Sequence, residues 1–344
     1  MAEVKHHRQP DQQRSAVQLL DVTEEEVGLR LDKFIRDHLP DLPFSAIHRI
    51  MRTGQVRVNG GRVKGSRRLA QGDTVRLPPI HADQSPPQQS GVPERLVKEV
   101  QKRILHLDRR VLVISKPSGV AVHGGTNQQW GIIDAVAQMP EMADFRPELC
   151  HRLDRDTSGA LLFGLDSKAV RYLAEQFRSS RIEKEYRVIV KGVPRKTRGL
   201  IDQPLNKGVV RGGERMVVAG SGGQAARTRY RVVEKLGNVA LVSVRPETGR
   251  THQIRVHMQW IGHPVAGDGK YGDRKFNGNM KKFGLKRLFL HAASLGFNHP
   301  DGKKPMTVKA PLDTELKSVI DRLRNGNDSG EITREPSNKR RRGR

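Results

Sequence analysis

The segment from His151 to Gly159 carries the side chains of this chain that are best suited to chemistry. It places two carboxylates, Asp154 and Asp156, among three basic side chains. The apolar run that follows, 160–163, predicts a buried strand leading out of a charged loop. A carboxylate held in such a loop can be desolvated, paired with a cation and used as a catalytic group. A solvated charged turn is the alternative interpretation.

Two further segments could complete such a site. Tyr186 enters an apolar, β-branched run that predicts a strand. A ten-residue segment beginning at Thr248 contains two arginines and two histidines. On a helix, Arg250, Ile254 and His257 would share one side, at spacings of four and three residues.

Other candidate chemistry is weaker. Adjacent residues on an extended strand point to opposite faces, so Cys150 is interpreted as a small apolar filler rather than a nucleophile paired with His151. His252 and His257 could bind a metal ion, but no HExxH or CxxC pattern accompanies them, and satisfied histidines are the favoured interpretation. The glycines of 115–125 could let the backbone approach a phosphate, although the segment is not a Walker loop.

Charge indicates the partner. The 344 residues carry a formal net charge of +26, which attracts polyanions. Nucleic acid is the first candidate, and an anionic membrane surface is the second. A single cysteine excludes an intrachain disulfide, and the chain has no apolar run long enough to span a bilayer and no apolar signal segment at its start. We therefore expect a cytoplasmic protein.

Composition divides the chain into five parts. They are a disordered N-terminus at 1–15, a compact α+β unit at 16–80, a proline-rich linker at 81–94, a large domain at 95–325 and a disordered basic tail at 326–344.

In the large domain, strands outnumber helices. This pattern predicts an α+β fold with a largely antiparallel sheet. The predicted strands are 111–114, 160–163, 186–190 and 240–244, and the predicted helices lie near 131–138, 168–178 and 251–261.

The small unit is predicted to contain two amphipathic helices, which begin near Val27 and Phe44, and a hairpin around Asn59. Its segments 30–34, 45–52 and 54–60 resemble the S4 RNA-binding domain. Residues 28–80 contain eleven Lys and Arg against four Asp and Glu. The second helix and the following loop would present seven cations to a phosphate backbone, namely Arg49, Arg52, Arg57, Arg62, Lys64, Arg67 and Arg68.

The three segments of the large domain, in this order, resemble the RluA-type pseudouridine synthases. The resemblance rests on His151-Arg152-Leu153-Asp154 with Thr157-Ser158-Gly159, on Tyr186, and on 249–255. It covers nearly the whole large domain, and an S4-like unit ahead of it fits the subgroup that acts on large-subunit ribosomal RNA. The basic tail lies outside the family pattern.

The resemblance implies conversion of uridine to its C-glycoside isomer, with large-subunit ribosomal RNA as partner and no cofactor or metal ion. It makes Asp154 the catalytic carboxylate, Arg250 its counter-ion and Tyr186 the platform that stacks on uracil. The sequence leaves open whether Asp154 attacks the sugar, attacks the base or abstracts a sugar proton.

The target nucleotide must leave the RNA stack to react. Arg152 is a candidate to fill the vacated place, and His151 a candidate to position the RNA. We expect a monomer. Two rival hypotheses are a non-catalytic RNA-binding factor of ribosome assembly and a metal-dependent nuclease that uses Asp154 and Asp156.

Overall fold

The structure is a computed structural model that divides into two compact units, Met1–Gly91 and Val92–Arg344. It describes residues 17–39, 42, 47, 50–51, 53–79, 92–124, 130–211, 214–302 and 305–328. The predicted disordered N-terminus, most of the predicted linker and nearly all of the basic tail fall outside these ranges. No helix within them is both long and apolar enough to cross a bilayer.

The small unit is built on a three-stranded antiparallel sheet in the order β1-β3-β2. Its elements are β1 (Gln18–Asp21), a 3-10 turn (Glu24–Glu26), α1 (Leu31–His38), β2 (Arg57–Val58) and β3 (Thr74–Leu77). The predicted apolar face of Leu31, Phe34 and Ile35 is fully buried. Much of the predicted helix near 44–52 lies outside the described residues.

The large unit contains twelve strands within the described ranges. They are β4 (Ile104–Leu107), β5 (Val111–Lys116), β6 (Glu148–Leu149), β7 (Ser158–Gly164), β8 (Glu183–Lys191), β9 (Arg198–Asp202), β10 (Leu205–Arg211), β11 (Glu214–Ala219), β12 (Arg227–Leu236), β13 (Val239–Pro246), β14 (Leu290–Asn298) and β15 (Pro305–Lys309).

Its helices follow the same pattern of apolar positions that the sequence shows. They are α2 (Glu94–Gln101), α3 (Ile132–Ala137), α4 (Ser167–Arg178), α5 (Gln253–Trp260), α6 (Arg274–Lys282) and α7 (Thr314–Asp328), with a 3-10 turn at Pro140–Met142. All four predicted strands and all three predicted helices of this unit are present.

The main sheet runs β4-β5-β7-β14-β8-β13-β12-β9, with β15 beside β14 and β6 beside β7. Strands β10 and β11 form a separate hairpin. Every described pairing of the main sheet is antiparallel except β7 with β14. The predicted α+β class with a largely antiparallel sheet is therefore confirmed.

One row across the centre of the sheet brings the three predicted segments together. Gly159 of β7 is opposite Ala292 of β14, Ala292 is opposite Tyr186 of β8, and Tyr186 is opposite Val244 of β13. The loop carrying Asp154 precedes this row on β7, and the turn into α5 follows it on β13. Strand pairing between distant segments thus places all three at one site.

The row requires glycine at position 159. Its φ is +109°, and a Cβ there would lie 2.2 Å from the carbonyl oxygen of Ala292. No side chain can be accommodated at that separation, and glycine also adopts this backbone region without strain. The Gly that closes the 151–159 segment is therefore needed for β7 to approach β14.

Candidate active site

The predicted chemical segments line one cavity of about 500 Å³. Its walls come from the loop after β6, from β8 and from the segment that joins β13 to α5. Among the lining residues are Cys150, His151, Arg152, Asp154, Lys184, Tyr186, Arg250, His252 and Arg255. A volume of this size is within the range of roughly 300–1,000 Å³ typical of small-ligand sites.

Asp154 lies in the tight turn that leads into β7. The backbone N–H of Thr157 donates to the Asp154 carbonyl oxygen at 3.1 Å, which closes the turn. The Asp154 side chain is 26% exposed, and its Oδ2 lies 3.9 Å from Nε2 of His252. The carboxylate is therefore partly shielded from water but open to the cavity.

Hydrogen bonds from a second loop hold the Asp154 turn in place. Lys116 is fully buried, and its Nζ donates to the carbonyl oxygens of Pro117, Val120 and Arg155 at 2.7–2.9 Å. The backbone N–H of Gly119 also donates to Arg155, at 2.9 Å. The described part of the glycine-bearing segment 115–125, considered above as a phosphate loop, thus holds the turn that carries Asp154.

Burial and charge both act on Lys116. Desolvation lowers the pKa of Lys116 to about 7, and Arg287 adds to this effect, while the charges of Asp156 and Asp154 oppose it. Three carbonyl oxygens around Nζ match the three protons of an ammonium group. The geometry of this cluster therefore favours the charged form more than burial alone would suggest.

Tyr186 is placed by the central strand β8, between β14 and β13. Its side chain packs against two apolar clusters, one that contains Leu153 and one that contains Val244. Burial and the nearby charge of Asp154 raise the pKa of the Tyr186 phenol well above its ordinary value. The cavity therefore contains a neutral aromatic ring beside a carboxylate.

Arg250, the expected counter-ion of Asp154, lines the same cavity but has another partner. It is exposed, and its Nε donates to the carbonyl oxygen of Ala225 at 3.1 Å. Among the described residues, no ion pair joins Arg250 to Asp154. Helix α5 begins at Gln253, so Arg250 lies in the preceding turn and the helical spacing counted from it does not apply.

Arg255, which the sequence reasoning did not select, is the buried arginine of the site. Its Nε and Nη2 donate to both carboxylate oxygens of Asp268 at 2.7 Å, and its guanidinium lies 4.9 Å from the centre of the Tyr271 ring. Burial opposes its charge, but Asp268 and the charge of Asp154 raise the pKa of Arg255 overall.

The buried Arg255–Asp268 pair therefore lies near enough to Asp154 for the charge of Asp154 to contribute to the raised pKa of Arg255. All of 253–258 is buried, so α5 has no amphipathic pattern that could have identified Arg255 from sequence. The only available signal was its position inside the segment that carries the family resemblance.

Gln253 organises the turn that precedes α5. Its Oε1 accepts from the backbone N–H of Arg250 at 3.0 Å and from the Thr248 hydroxyl at 2.8 Å. Its Nε2 donates to the Arg227 carbonyl oxygen and to the Thr228 hydroxyl, both at 2.9 Å. This buried amide has all four hydrogen bonds that it can make.

Both histidines of this segment are engaged by protein groups. His257 is fully buried, with Nδ1 2.8 Å from the Thr228 hydroxyl and Nε2 2.9 Å from the carbonyl oxygen of Gln203. Nδ1 of His252 lies 2.8 Å from the Tyr271 hydroxyl. Within the described residues, no group of three or more His, Cys, Asp or Glu side chains is arranged to share a metal ion.

His151 lines the cavity and also has partners within the protein. Its Nε2 accepts from the backbone N–H of Leu162 at 3.0 Å, and its ring stacks on Phe177 with centroids 4.6 Å apart. Burial, with the charge of Lys184, lowers the pKa of His151 to about 3. Arg152 is exposed at the cavity, where an incoming nucleic acid could meet it.

Cys150 packs in the apolar layer beneath β7, as the apolar interpretation predicts. Burial raises the pKa of its thiol to about 12. A thiol with so high a pKa is a poor nucleophile at neutral pH.

The predicted RNA-binding cations of the small unit are only partly described. Arg49 and Arg52 lie outside the described residues. Lys64 and Arg62 are exposed, and Arg62 lies against Gly54.

The other three predicted RNA-binding cations have partners within the small unit. Arg57 and Arg68 each donate to a backbone carbonyl oxygen, at 3.2 and 2.7 Å. Arg67 pairs with the buried carboxylate of Asp73 at 3.1 Å. Their contact with RNA stays a prediction.

The comparisons with known proteins agree with this architecture. The model of the RNA pseudouridylate synthase family matches 110–260, and that of the S4 domain matches 29–75. The chain is 43% identical, over 90% of its length and 98% of the relative's, to ribosomal large subunit pseudouridine synthase C of Vibrio vulnificus (strain CMCP6). It is 41% identical to the protein of the same name in Escherichia coli (strain K12), with the same coverage.

Solved structures support the fold of the large unit. Human RNA pseudouridylate synthase domain containing 4 is 29% identical with a TM-score of 0.56, covering 67% of this chain and 96% of that one. Human RNA pseudouridylate synthase domain containing 1 is 26% identical with a TM-score of 0.52, covering 64% and 94%. By sequence and by fold, this chain belongs to the RNA pseudouridylate synthase family, whose members are isomerases.

Proposed function

We propose that this protein converts specific uridines of large-subunit ribosomal RNA to pseudouridine. The names of its relatives from Vibrio vulnificus and Escherichia coli support this substrate. The S4 match and the net charge of +26 provide affinity for a phosphate backbone. A ribosomal RNA substrate also supports action in the cytoplasm, and we expect the protein to act there as a monomer.

One observation carries the proposal. A partly shielded carboxylate, Asp154, shares a cavity with a neutral aromatic ring, Tyr186, and with a buried arginine, Arg255. The carboxylate is the group that the isomerisation requires, and the ring can stack on uracil. Stacking tolerates rotation of the base in its own plane better than directional hydrogen bonds do.

Arg255 is the buried cation of the cavity wall, and the charge of Asp154 is one of the contributions that raise the pKa of Arg255. Its two hydrogen bonds to Asp268 fix the position of the Arg255 guanidinium in that wall. We therefore assign to Arg255 the electrostatic role that the sequence had suggested for Arg250. Arg250 is left as an exposed cation at the cavity rim.

Access to the cavity requires the target nucleotide to leave the RNA stack. The glycosidic bond of a stacked uridine cannot reach Asp154 inside the cavity, so the base must be flipped outward. Arg152 is exposed at the same cavity and is the candidate to occupy the vacated place. No redox step or group donor is needed, so the reaction is proposed to use no cofactor.

The test uses unmodified large-subunit ribosomal RNA incubated with the purified protein in EDTA. Pseudouridine is then mapped by primer-extension stops that depend on carbodiimide treatment. We expect discrete new stops with the wild-type protein and none with Asp154→Asn, while RNA binding is kept because one lost charge scarcely changes a net charge of +26. Stops that persist at wild-type level in Asp154→Asn would contradict the role of Asp154.

Asp156→Asn is the matched control. Asp156 is two residues away but does not line the cavity, and it pairs with Arg155 at 3.0 Å. We expect it to keep its stops. Cleavage of the RNA that needs a divalent ion and requires both carboxylates would favour the nuclease hypothesis instead, and tight binding with no stops would favour a non-catalytic assembly factor.

A further inference from the structure

His252 has a backbone conformation that few side chains adopt. It immediately precedes α5 with φ +55° and ψ +16°, in the left-handed region. A non-glycine residue is strained in this conformation, and such residues concentrate at functional sites. The left-handed turn directs the imidazole into the cavity rather than along the helix.

A chain of hydrogen bonds determines which nitrogen of His252 carries the proton. The backbone N–H of Val217, on β11, donates to the Tyr271 hydroxyl oxygen at 3.0 Å. That oxygen lies 2.8 Å from Nδ1 of His252. Because the backbone N–H is an obligatory donor, the Tyr271 oxygen accepts from Val217, and its own proton is available for Nδ1.

With the Tyr271 hydroxyl donating to Nδ1, the proton of a neutral His252 is on Nε2. Nε2 is the nitrogen that faces the cavity, 3.9 Å from Oδ2 of Asp154. This separation is about 1 Å longer than a hydrogen bond. Hydrogen bonds between catalytic groups are often long in the free enzyme and shorten in the substrate complex.

We propose that His252 is a positioning residue for Asp154, which donates a hydrogen bond from Nε2 to the carboxylate when RNA occupies the cavity, and that Tyr271 sets its tautomer. The inference rests on the proposed role of Asp154 as the catalytic carboxylate. Its effect is to orient one carboxylate oxygen, so that the other is directed toward the nucleotide.

The groups around His252 favour a neutral ring. Burial lowers the pKa of His252, and the charges of Arg255 and Lys270 add to this effect, against the opposing charges of Asp154 and Asp268. A neutral donor orients the carboxylate without forming a full ion pair that would reduce its reactivity. Tyr271, itself 3% exposed and stacked with Arg255, is fixed well enough to hold this arrangement.

Two substitutions of His252 distinguish the role of Nδ1 from that of Nε2. Asn tolerates the left-handed conformation, and its short amide can replace Nδ1 toward Tyr271 but cannot reach Asp154. The longer amide of Gln places an N–H near the position of Nε2. We expect His252→Asn to lower kcat by about 10- to 100-fold, the effect of one hydrogen bond to a charged group, with KM for RNA changed less than about twofold.

His252→Gln should recover part of this loss. His263→Asn is the matched control, because His263 bonds to Lys191 outside the cavity and should keep wild-type kcat. Unfolding temperatures show whether each variant is folded. A kcat for His252→Asn within twofold of wild type would overturn the proposal, as would equal losses in folded Asn and Gln variants.

The tautomer has its own readout, which does not depend on activity. In protein labelled with 15N-histidine, the ring signals of His252, assigned by their absence in His252→Asn, should show a protonated Nε2 at pH 7.5. Tyr271→Phe keeps the ring but removes the hydroxyl, and should produce a mixture of tautomers. A protonated Nδ1 in the wild type would overturn the proposal, whereas absence of pseudouridine with the wild-type enzyme would instead count against the proposed function.

Discussion

Positive charge is arranged differently in the small unit and around the cavity. In the small unit, Lys64 is exposed and Arg67 is half-exposed beside Asp73. Around the cavity, Lys116 and Arg255 are buried, and they direct three and two hydrogen bonds, respectively, at fixed acceptors.

The difference fits the proposed roles of the two regions, which are RNA binding in the small unit and support of the Asp154 carboxylate around the cavity. An RNA backbone is bound by many cations that each contribute little and remain hydrated. A catalytic carboxylate needs few charges, held in low dielectric, where removal of one partner is expensive. Substitutions should therefore have large effects around the cavity and small effects in the small unit.

The largest effect is expected at Arg255. Arg255→Met should lower the free energy of unfolding by about 3–5 kcal/mol, because it leaves the carboxylate of Asp268 buried without its partner. Arg250→Met should change it by less than about 0.5 kcal/mol, because Arg250 is exposed. Urea unfolding of the two variants measures this difference directly. Similar free energies of unfolding for both would contradict the expected difference between a buried and an exposed cation.

The next largest effect is expected at Lys116. Lys116→Met removes three hydrogen bonds and leaves the carbonyl oxygens of Pro117 and Val120 without this donor, which should cost about 3 kcal/mol. Thermal unfolding checks this, with Lys168→Met on the exposed face of α4 as the control. A wild-type unfolding temperature in Lys116→Met would show that these hydrogen bonds contribute no stability.

His151 extends the comparison between the two regions to the pH dependence of stability. Its folded pKa of about 3 lies below the unfolded value of 6.5, so the unfolded chain takes up the proton first as pH falls. Stability is therefore lost below pH 6.5, with a slope that approaches about 1.4 kcal/mol per pH unit before pH 3. His151→Gln cannot titrate, and urea unfolding between pH 7 and 4 should show a shallower loss. If the free energies of unfolding of the wild type and His151→Gln fall in parallel with pH, the low folded pKa of His151 is refuted.

The smallest effect is expected in the small unit. Lys64→Ala should weaken RNA binding less than tenfold and reduce the slope of log affinity against log salt by about 1, since it removes one phosphate contact. Its free energy of unfolding should stay within about 0.5 kcal/mol of wild type. Filter binding at several salt concentrations measures both affinity and slope. An unchanged slope would remove Lys64 from the RNA-binding surface.

Local pattern was sufficient for much of the fold. The apolar runs at 111–114 and 160–163 form β5 and β7, and the periodic stretch at 168–178 forms α4. Apolar periodicity reports which face of an element is buried, and this information is local. Charge was equally direct, because a net value of +26 needs no structure to indicate a polyanionic partner.

The sequence by itself determined the chemical groups: the carboxylate of Asp154, the ring of Tyr186 and the family to which their pattern belongs. Only the tertiary structure decided which of the two arginines of 249–255 is buried. His252, in the left-handed conformation, changes the direction of the backbone before α5. Arg250, which precedes it, is exposed, and Arg255, which follows it, is buried. A single backbone angle resets the phase of a helix, and spacing counted across it cannot predict which side chain faces the site.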